Sequence, residues 1–288
     1  MEYLVHLGVL FSIFAVLALS LQLVVGYTGL LSVTHAAFYG IGAYTAALLI
    51  TAHGVNFFVA IVAAVLLTAF CSLLIGLVLS KFRGDYYALG SLGFNVIVFS
   101  IFLNWQSLTR GPLGIPGIDR PDIFGFQFSE NILFLVLALV FLGLCYWLSK
   151  WVTDSSFGRV LKAIREDEEA VSVFGYRTLF FKLAIFVFSA GMAAIAGALY
   201  ATYITFIDPS SFTINESIFI LAIIILGGLG SLRGAVIGAL VLILLPEALR
   251  FVGFPSEIAA QMRQVIYGLI LVGLMLYRPQ GLVGEYKL

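Results

Sequence analysis

Charge is what this chain has least of. Asp, Glu, Lys and Arg make up only 10% of its 288 residues, where a soluble domain carries about 25%. The 15 basic and 15 acidic residues cancel, so no basic excess exists to hold nucleic acid. Cysteine is nearly absent too. Cys71 and Cys145 each sit alone inside an apolar run, which excludes a disulfide scaffold and any CxxC redox or metal motif. No Gly-Lys dipeptide occurs, so the phosphate-cradling GxxxxGK loop is missing and the chain cannot hydrolyse ATP by that route. Neither HExxH, nor GxSxG, nor a His/Cys cluster is present, so no catalytic or metal-binding residue is assigned. There is no Lys or Arg before Lys81, and the N-terminus does not read as a cleavable signal peptide.

What is there is apolar. Hydrophobic residues form 62% of the chain, gathered into continuous runs near 4–25, 36–51, 57–79, 86–103, 131–151, 183–206, 216–229, 235–246 and 264–277. Continuous runs exclude an outer-membrane barrel, whose strands alternate. A helical crossing needs about 20 residues, so several runs span only if they are tilted, kinked or halves of broken helices. The expected fold is all-α, a polytopic helical membrane protein. It has about eight to nine transmembrane segments in one domain over 1–288.

The few charges give a topology. Lys150, Arg159, Lys162, Arg165, Arg177 and Lys182 fall in one connection, Lys81 and Arg83 in another, and Arg278 and Lys287 in the tail. These three places read as cytoplasmic, including the C-terminus. The Gly- and Pro-rich connection at about 104–130 reads as external. Upstream of Lys81 the rule has nothing to count.

Eleven of the 30 charges lie in 150–182. A single helix there would set four acids at its negative C-terminal end. Two short helices fit better. The first is capped by Ser155 or Ser156 and ends with Lys162 and Arg165; the second opens with Glu166 to Glu169 and stops at Gly175. Val160, Ala163 and Ile164 then make a small apolar stripe flanked by Arg159 and Lys162. Such a pair suits docking into a groove on a soluble partner. The charge pattern is equally consistent with a solvated loop that only fixes topology.

Glycine marks other places. Gly26 and Gly29 bracket Tyr27-Thr28 between apolar runs, and His35 follows. Unwound backbone at membrane depth is tolerated only where it is buried in protein or lines a wet path. The competing reading is that these glycines only let helices approach. Gly230, Gly234 and Gly238 recur every fourth residue and read as a helix-packing stripe. His35 is the best-placed intramembrane ionisable group, with hydrogen-bonded structure and proton transfer both open. Glu216, Arg233 and Glu247 read as solvated segment ends.

Ser156-Phe157-Gly158-Arg159, followed by Ala163-Ile164-Arg165-Glu166-Asp167-Glu168, resembles the cytoplasmic loop of the permease subunits of branched-chain amino acid ABC importers, the LivM type. Three further stretches are similar to the same family. They are Gly26-Tyr27-Thr28-Gly29 with Ser32 and 35–45, Gly227-Gly228-Leu229-Gly230-Ser231, and Tyr277-Arg278-Pro279-Gln280-Gly281-Leu282. The chain departs from the family's usual residues at Thr34, at Asn95-Val96, where a Gly-Glu pair is common, and at Thr109-Arg110-Gly111-Pro112.

The resemblance implies an ABC importer permease fold and a cytoplasmic coupling loop at about 152–180. The coupling residues would be Ser156, Phe157, Gly158, Arg159, Val160, Lys162, Ala163, Ile164, Arg165, Glu166, Asp167 and Glu168. It implies a translocation path past Gly26, Thr28, Gly29, Ser32, Thr34, His35, Tyr39, Tyr44, Asn95, Gly227, Gly228 and Gly230. The implied partners are a second homologous permease, two ATP-binding subunits that hold ATP and Mg, an extracytoplasmic substrate-binding protein, and membrane lipid. This chain would be no enzyme and would carry no cofactor, sitting multi-pass in the bacterial inner membrane. Its cargo would be hydrophobic or neutral amino acids moved by ATP-driven alternating access. The alternatives are a permease for a related small polar solute, such as urea or a short amide, and a stand-alone ion-coupled secondary transporter using His35 and Glu247.

Overall fold

The computed structural model describes residues 2–123, 126–128, 130–250 and 280–284, with 265, 268–269 and 272–273 between them. Its helices are α1 (Glu2–Leu21), which continues into a π-helical turn (Gln22–Gly26), α2 (His35–His53), α3 (Phe57–Leu79), α4 (Asp85–Asn104) and the short α5 (Gln106–Thr109). They continue as α6 (Asn131–Asp154), α7 (Ser156–Glu166), α8 (Glu168–Val173), α9 (Thr178–Ile204), α10 (Ile214–Gly227) and α11 (Leu232–Arg250).

Among the described residues six elements are long and apolar enough to cross a bilayer: α1 with its π turn, α2, α3, α4, α6 and α9. α10 and α11 pass the same test only together, bent by 118° at the break between them. The runs 216–229 and 235–246 are therefore two halves of one broken element rather than two crossings. The 264–277 run lies largely outside the described residues.

Two layers are distinguishable by burial. The apolar window of α1 is 78% buried, against 28% for α3 and for α6. α1 is apolar on every side, and a helix of that kind belongs in an interior. α3 shows how the outer layer is built. Ala60, Ala64, Thr68, Ser72 and Gly76 face inward at every fourth residue, while Val59, Val62, Leu66, Phe70 and Val78 face outward. Large side chains outside and small ones inside invert the soluble pattern. Lipid tails are as apolar as Leu, so association depends on close backbone contact.

One such close contact joins α2 to α9. A Cβ on Gly42 would lie 2.4 Å from Ala194 Cα, and one on Gly197 would lie 2.2 Å from the Tyr39 carbonyl oxygen. At one end of the bundle α7 and α8 lie across α6 and α9. At the other, the 105–130 connection is pinned by an antiparallel pair of short strands, Ile115–Pro116 with Phe206–Ile207.

Replacing Gly197 by Val forces α2 and α9 apart against backbone atoms. Overpacking of this kind costs at least ~2 kcal/mol. The expected outcome is a large loss of monodisperse protein in detergent and a lowered melting temperature; Gly143→Val, where a Cβ meets nothing, should leave both unchanged.

Candidate functional site

The break between α10 and α11 is the first part of the site. Gly228 and Gly230 hold φ of 110° and 81°, which turns the chain without a Cβ penalty. A helix that ends in a buried place leaves carbonyls needing donors. Three groups supply them. Gln22, wholly buried in the π turn of α1, donates through Nε2 to the Gly228 carbonyl at 2.9 Å and to that of Ser231 at 3.2 Å. From the tail, the Leu282 and Val283 amides donate to Leu226 and Gly227 at 2.9 Å each. The Gln280-Gly281-Leu282 part of the tail motif thus closes the end of α10. Tyr277 to Pro279 lie outside the described residues.

The glycines divide by position. Gly26 lies against the Gly230 amide, 2.9 Å from where its Cβ would be, and Gly227 lies against the Gly234 carbonyl at 2.0 Å. Gly238 meets the Ile223 carbonyl at 2.2 Å. Gly234 and Gly238 therefore sit at the α10–α11 contact inside the chain. Gly230 does not share their stripe, because it precedes α11 and belongs to the break.

The charged connection reaches this break directly. Ser155 caps α7, accepting from the Gly158 amide at 3.4 Å, and Asp167 caps α8, accepting from Glu169 and Ala170 at 3.0 and 2.9 Å. Two short helices result, as the Ser155 cap and the end charges predict, but Glu166 closes α7 and Asp167 caps α8, so both stand before the second helix rather than in its first turn. Arg165 donates through Nη1 to the Gly26 carbonyl, where α1 has unwound. The Lys162 ammonium sits 5.5 Å from the centre of the Tyr27 ring. Lys182 and Glu168, 2.6 Å apart, tie α8 to the start of α9.

The expected apolar stripe divides. Leu161 and Ile164 are buried against the bundle, and a Cβ on Gly158 would lie 2.2 Å from the Thr153 carbonyl. Gly158 and Ile164 therefore hold α7 in place rather than face outward. Facing outward, Val160, Ala163, Ala170 and Phe174 line a concavity of about 930 Å³ edged by Arg159, Glu166 and Asp167. Ser156, Phe157 and Tyr176 also line it. Val173 and Phe174 are 86% and 82% exposed.

A second polar group surrounds the first residues of α2. The Asn95 Nδ2 donates to the Val33 carbonyl at 2.9 Å and to Ser217 Oγ at 2.7 Å. Ser217 Oγ also accepts from the Ala36 amide, and Ser91 Oγ accepts from Val33, both at 2.9 Å. Ser32 and Thr34 hydroxyls lie 2.9 Å apart, while Thr28 turns back to the Val24 carbonyl. His35 Nε2 lies 3.0 Å from Ser189 Oγ, which itself donates to the Ser20 carbonyl at 2.6 Å. With the Ser189 proton so engaged, Nε2 is the protonated nitrogen. Among the described residues no carboxylate bonds His35. Asn95, at the first position of the Asn95-Val96 pair, serves as a donor that ties α4 to the start of α2 and to α10.

Tyr39 and Tyr44 belong to a third group, toward the 105–130 end. Phe212 packs against Tyr39 at 5.1 Å and Tyr44 at 5.7 Å, and Phe102 stacks on Tyr44 at 4.4 Å. Sequence reasoning missed Gln22, Ser91, Ser189 and Ser217. Gln22 left a signal, as an amide alone in an apolar run; single serines in membrane helices leave none.

A family model described as the permease component of branched-chain amino acid transport systems matches residues 3–275. The chain belongs to this family. It is 35% identical to the high-affinity branched-chain amino acid transport permease LivM of Escherichia coli K12, over 97% of this chain and 69% of that protein. It is 28% identical to LivH of the same organism, over 95% and 92%. A probable LivM of Methanocaldococcus jannaschii is 25% identical over 78% and 68%. No solved structure matches the chain. The chain is thus a multi-pass membrane permease and not an enzyme.

His35→Gln keeps a donor toward Ser189 and should retain uptake across pH. His35→Leu strips that donor from a buried bond and should cost about 1–3 kcal/mol. Uptake by reconstituted protein and thermal melting of both variants measure this.

Proposed function

We propose that this permease is one transmembrane subunit of an importer for hydrophobic, branched-chain amino acids, driven by ATP through alternating access. The observation that carries the reading is the junction of α7 with the broken helices. Arg165 holds the Gly26 carbonyl, and Gln22, one helical turn earlier, holds the Gly228 and Ser231 carbonyls. A push on α7 is therefore delivered to the unwound end of α1 and onward to the α10–α11 break, without passing through solvent or a flexible loop. A ligand can shift such a device only by binding its two states unequally. ATP, bound with Mg in partner subunits, would supply that difference.

The outward concavity on α7 and α8 suits the partner. An apolar floor with charged edges accepts a protruding element of a soluble protein. Two ATP-binding subunits would dock there and on a second homologous permease. The relatives named LivM and LivH support a pair of unlike permeases. Arg83 pairs with Glu169 at 3.2 Å, so the 81–83 and 150–182 basic clusters share one end of the bundle. That end is cytoplasmic by its charge, in the inner membrane of a bacterium. The tail at 280–284 meets the α10–α11 break beside it, in keeping with a cytoplasmic C-terminus. The 105–130 connection then faces a soluble substrate-binding protein. A stand-alone carrier would leave the α7–α8 concavity without a role, and His35 without a carboxylate is poorly placed to couple protons.

Reconstitution with the partner subunits tests the reading. Arg165→Gln should keep ATP hydrolysis while lowering uptake about tenfold, the worth of one charged hydrogen bond, with Arg165→Lys intermediate. Full uptake in Arg165→Gln would remove the junction from the mechanism. Phe174→Asp should reduce co-purification of the ATP-binding subunits while leaving insertion intact. Uptake by the wild-type chain alone, without ATP, would overturn the importer reading itself.

A further inference from the structure

α6 and α9 part before they reach α7. α6 packs chiefly on α1, and α9 on α2 and α3, so their neighbours hold the two side by side without a long shared face. They meet where Ser149 Oγ donates to Met192 Sδ at 3.7 Å. One turn nearer α7 a crevice of about 330 Å³ lies between them, walled by Trp151 and Val152 on one side and by Ala184, Ile185 and Phe188 on the other. Phe157, at the start of α7, bounds its end, with its ring packed against Phe181 of α9 at 5.1 Å.

The crevice has no hydrogen bond to offer. Its one polar side chain is Ser155, whose hydroxyl already donates to the Val152 carbonyl at 2.6 Å and accepts from the Gly158 amide at 3.4 Å. An amino acid, sugar or nucleotide would lose its water there and gain nothing back. A hydrocarbon loses nothing.

The surface outside the crevice identifies the hydrocarbon. Val136, Val140, Leu144, Trp147 and Trp151 are all exposed on α6, and residues three and four apart share a helix face. They form one lipid-facing stripe. Trp151 ends the stripe and also walls the crevice, which is therefore a side branch of the lipid-facing surface. Trp147 and Trp151 are 61% and 68% exposed, and neither indole N–H has a partner among the described residues. Exposed indoles near the end of a spanning helix mark the headgroup level, where ester and phosphate oxygens accept from them.

We propose that the crevice seats one acyl chain of a membrane phospholipid, with the Trp147 and Trp151 indoles toward its head, and that the chain braces Phe157 from behind. Phe157 lines the α7–α8 concavity as well, so a seated chain supports the wall against which the ATP-binding subunits would dock. This second role rests on the docking reading above; the seat itself does not.

Native mass spectrometry of the full chain, stripped of lipid in detergent and titrated with dioleoylphosphatidylglycerol, tests the seat. The wild type should take up one lipid more tightly than the rest. Ala184→Phe sets a ring inside the crevice and should weaken that lipid at least about tenfold, the burial of about two methylenes. Ala184→Leu, a smaller filling that keeps the test open if the larger one folds poorly, should be intermediate. Leu144→Phe, on the stripe, should leave the tight lipid unchanged. Equal first-lipid affinity in the wild type and both Ala184 variants, or no distinct tight lipid on the wild type, overturns the seat. A wild-type dimer that both fillings dissociate gives the crevice to a second copy of the chain instead. The bracing is read on the complex: stripping lipid should release the ATP-binding subunits, and adding dioleoylphosphatidylglycerol should restore them. Retention by the stripped complex overturns the bracing alone, and if Phe174→Asp also retains them the docking reading itself fails.

Discussion

Every unusual feature of this permease follows from one constraint: backbone that leaves helical geometry inside a membrane-width bundle must find its hydrogen bonds within the protein. The chain breaks helical geometry twice, between Gly26 and His35 and between Gly227 and Leu232. It satisfies the freed carbonyls with a buried amide, a guanidinium and two tail amides. Gln22, Arg165, Leu282 and Val283 come from three remote parts of the sequence. Because the two breaks are mutually satisfied, neither can change shape alone. That is what a transport gate requires, since a small movement is amplified only where the alternative arrangements are discrete.

The scarcity of charge acquires a meaning in this light. A charged group that enters the bundle needs a defined partner, and Arg165 has one in the Gly26 carbonyl. Three of the remaining charges of 150–182, Arg159, Glu166 and Asp167, edge a concavity with an apolar floor on the outer side of α7 and α8. One short helix thus presents two faces with different tasks. Leu161 and Ile164 anchor it to the bundle, and Val160 and Ala163 face the concavity.

At the opposite end aromatic side chains join polar bonds. Tyr39, Tyr44, Phe102, Tyr200 and Phe212 pack edge to face and stacked, beside the backbone pairing of Ile115–Pro116 with Phe206–Ile207. The ring contacts carry little direction and separate without breaking a hydrogen bond, whereas the junction at the α7 end cannot open without replacing each of its bonds.

The apolar runs, the paired helices of 155–174, the basic side of the bundle and the family were all legible in the sequence, because they depend on local composition and on spacing. The cap at Ser155 is local too and was legible; that Glu166 closes α7 and Asp167 caps α8, rather than both opening the second helix, was not. The merging of two apolar runs into one bent element was not legible, since a break of four residues looks the same whether the chain continues or folds back. Nor was the division of labour among small residues. Gly42 and Gly197 meet the backbone of a facing helix while Gly230 leaves the stripe it shares by spacing, and only the partner surface decides which glycine is approached. The roles of Gln22, His35 and Asn95 likewise waited on tertiary structure. A polar residue in an apolar run signals that a partner exists, but its identity lies up to some two hundred residues away along the chain, where spacing carries no information.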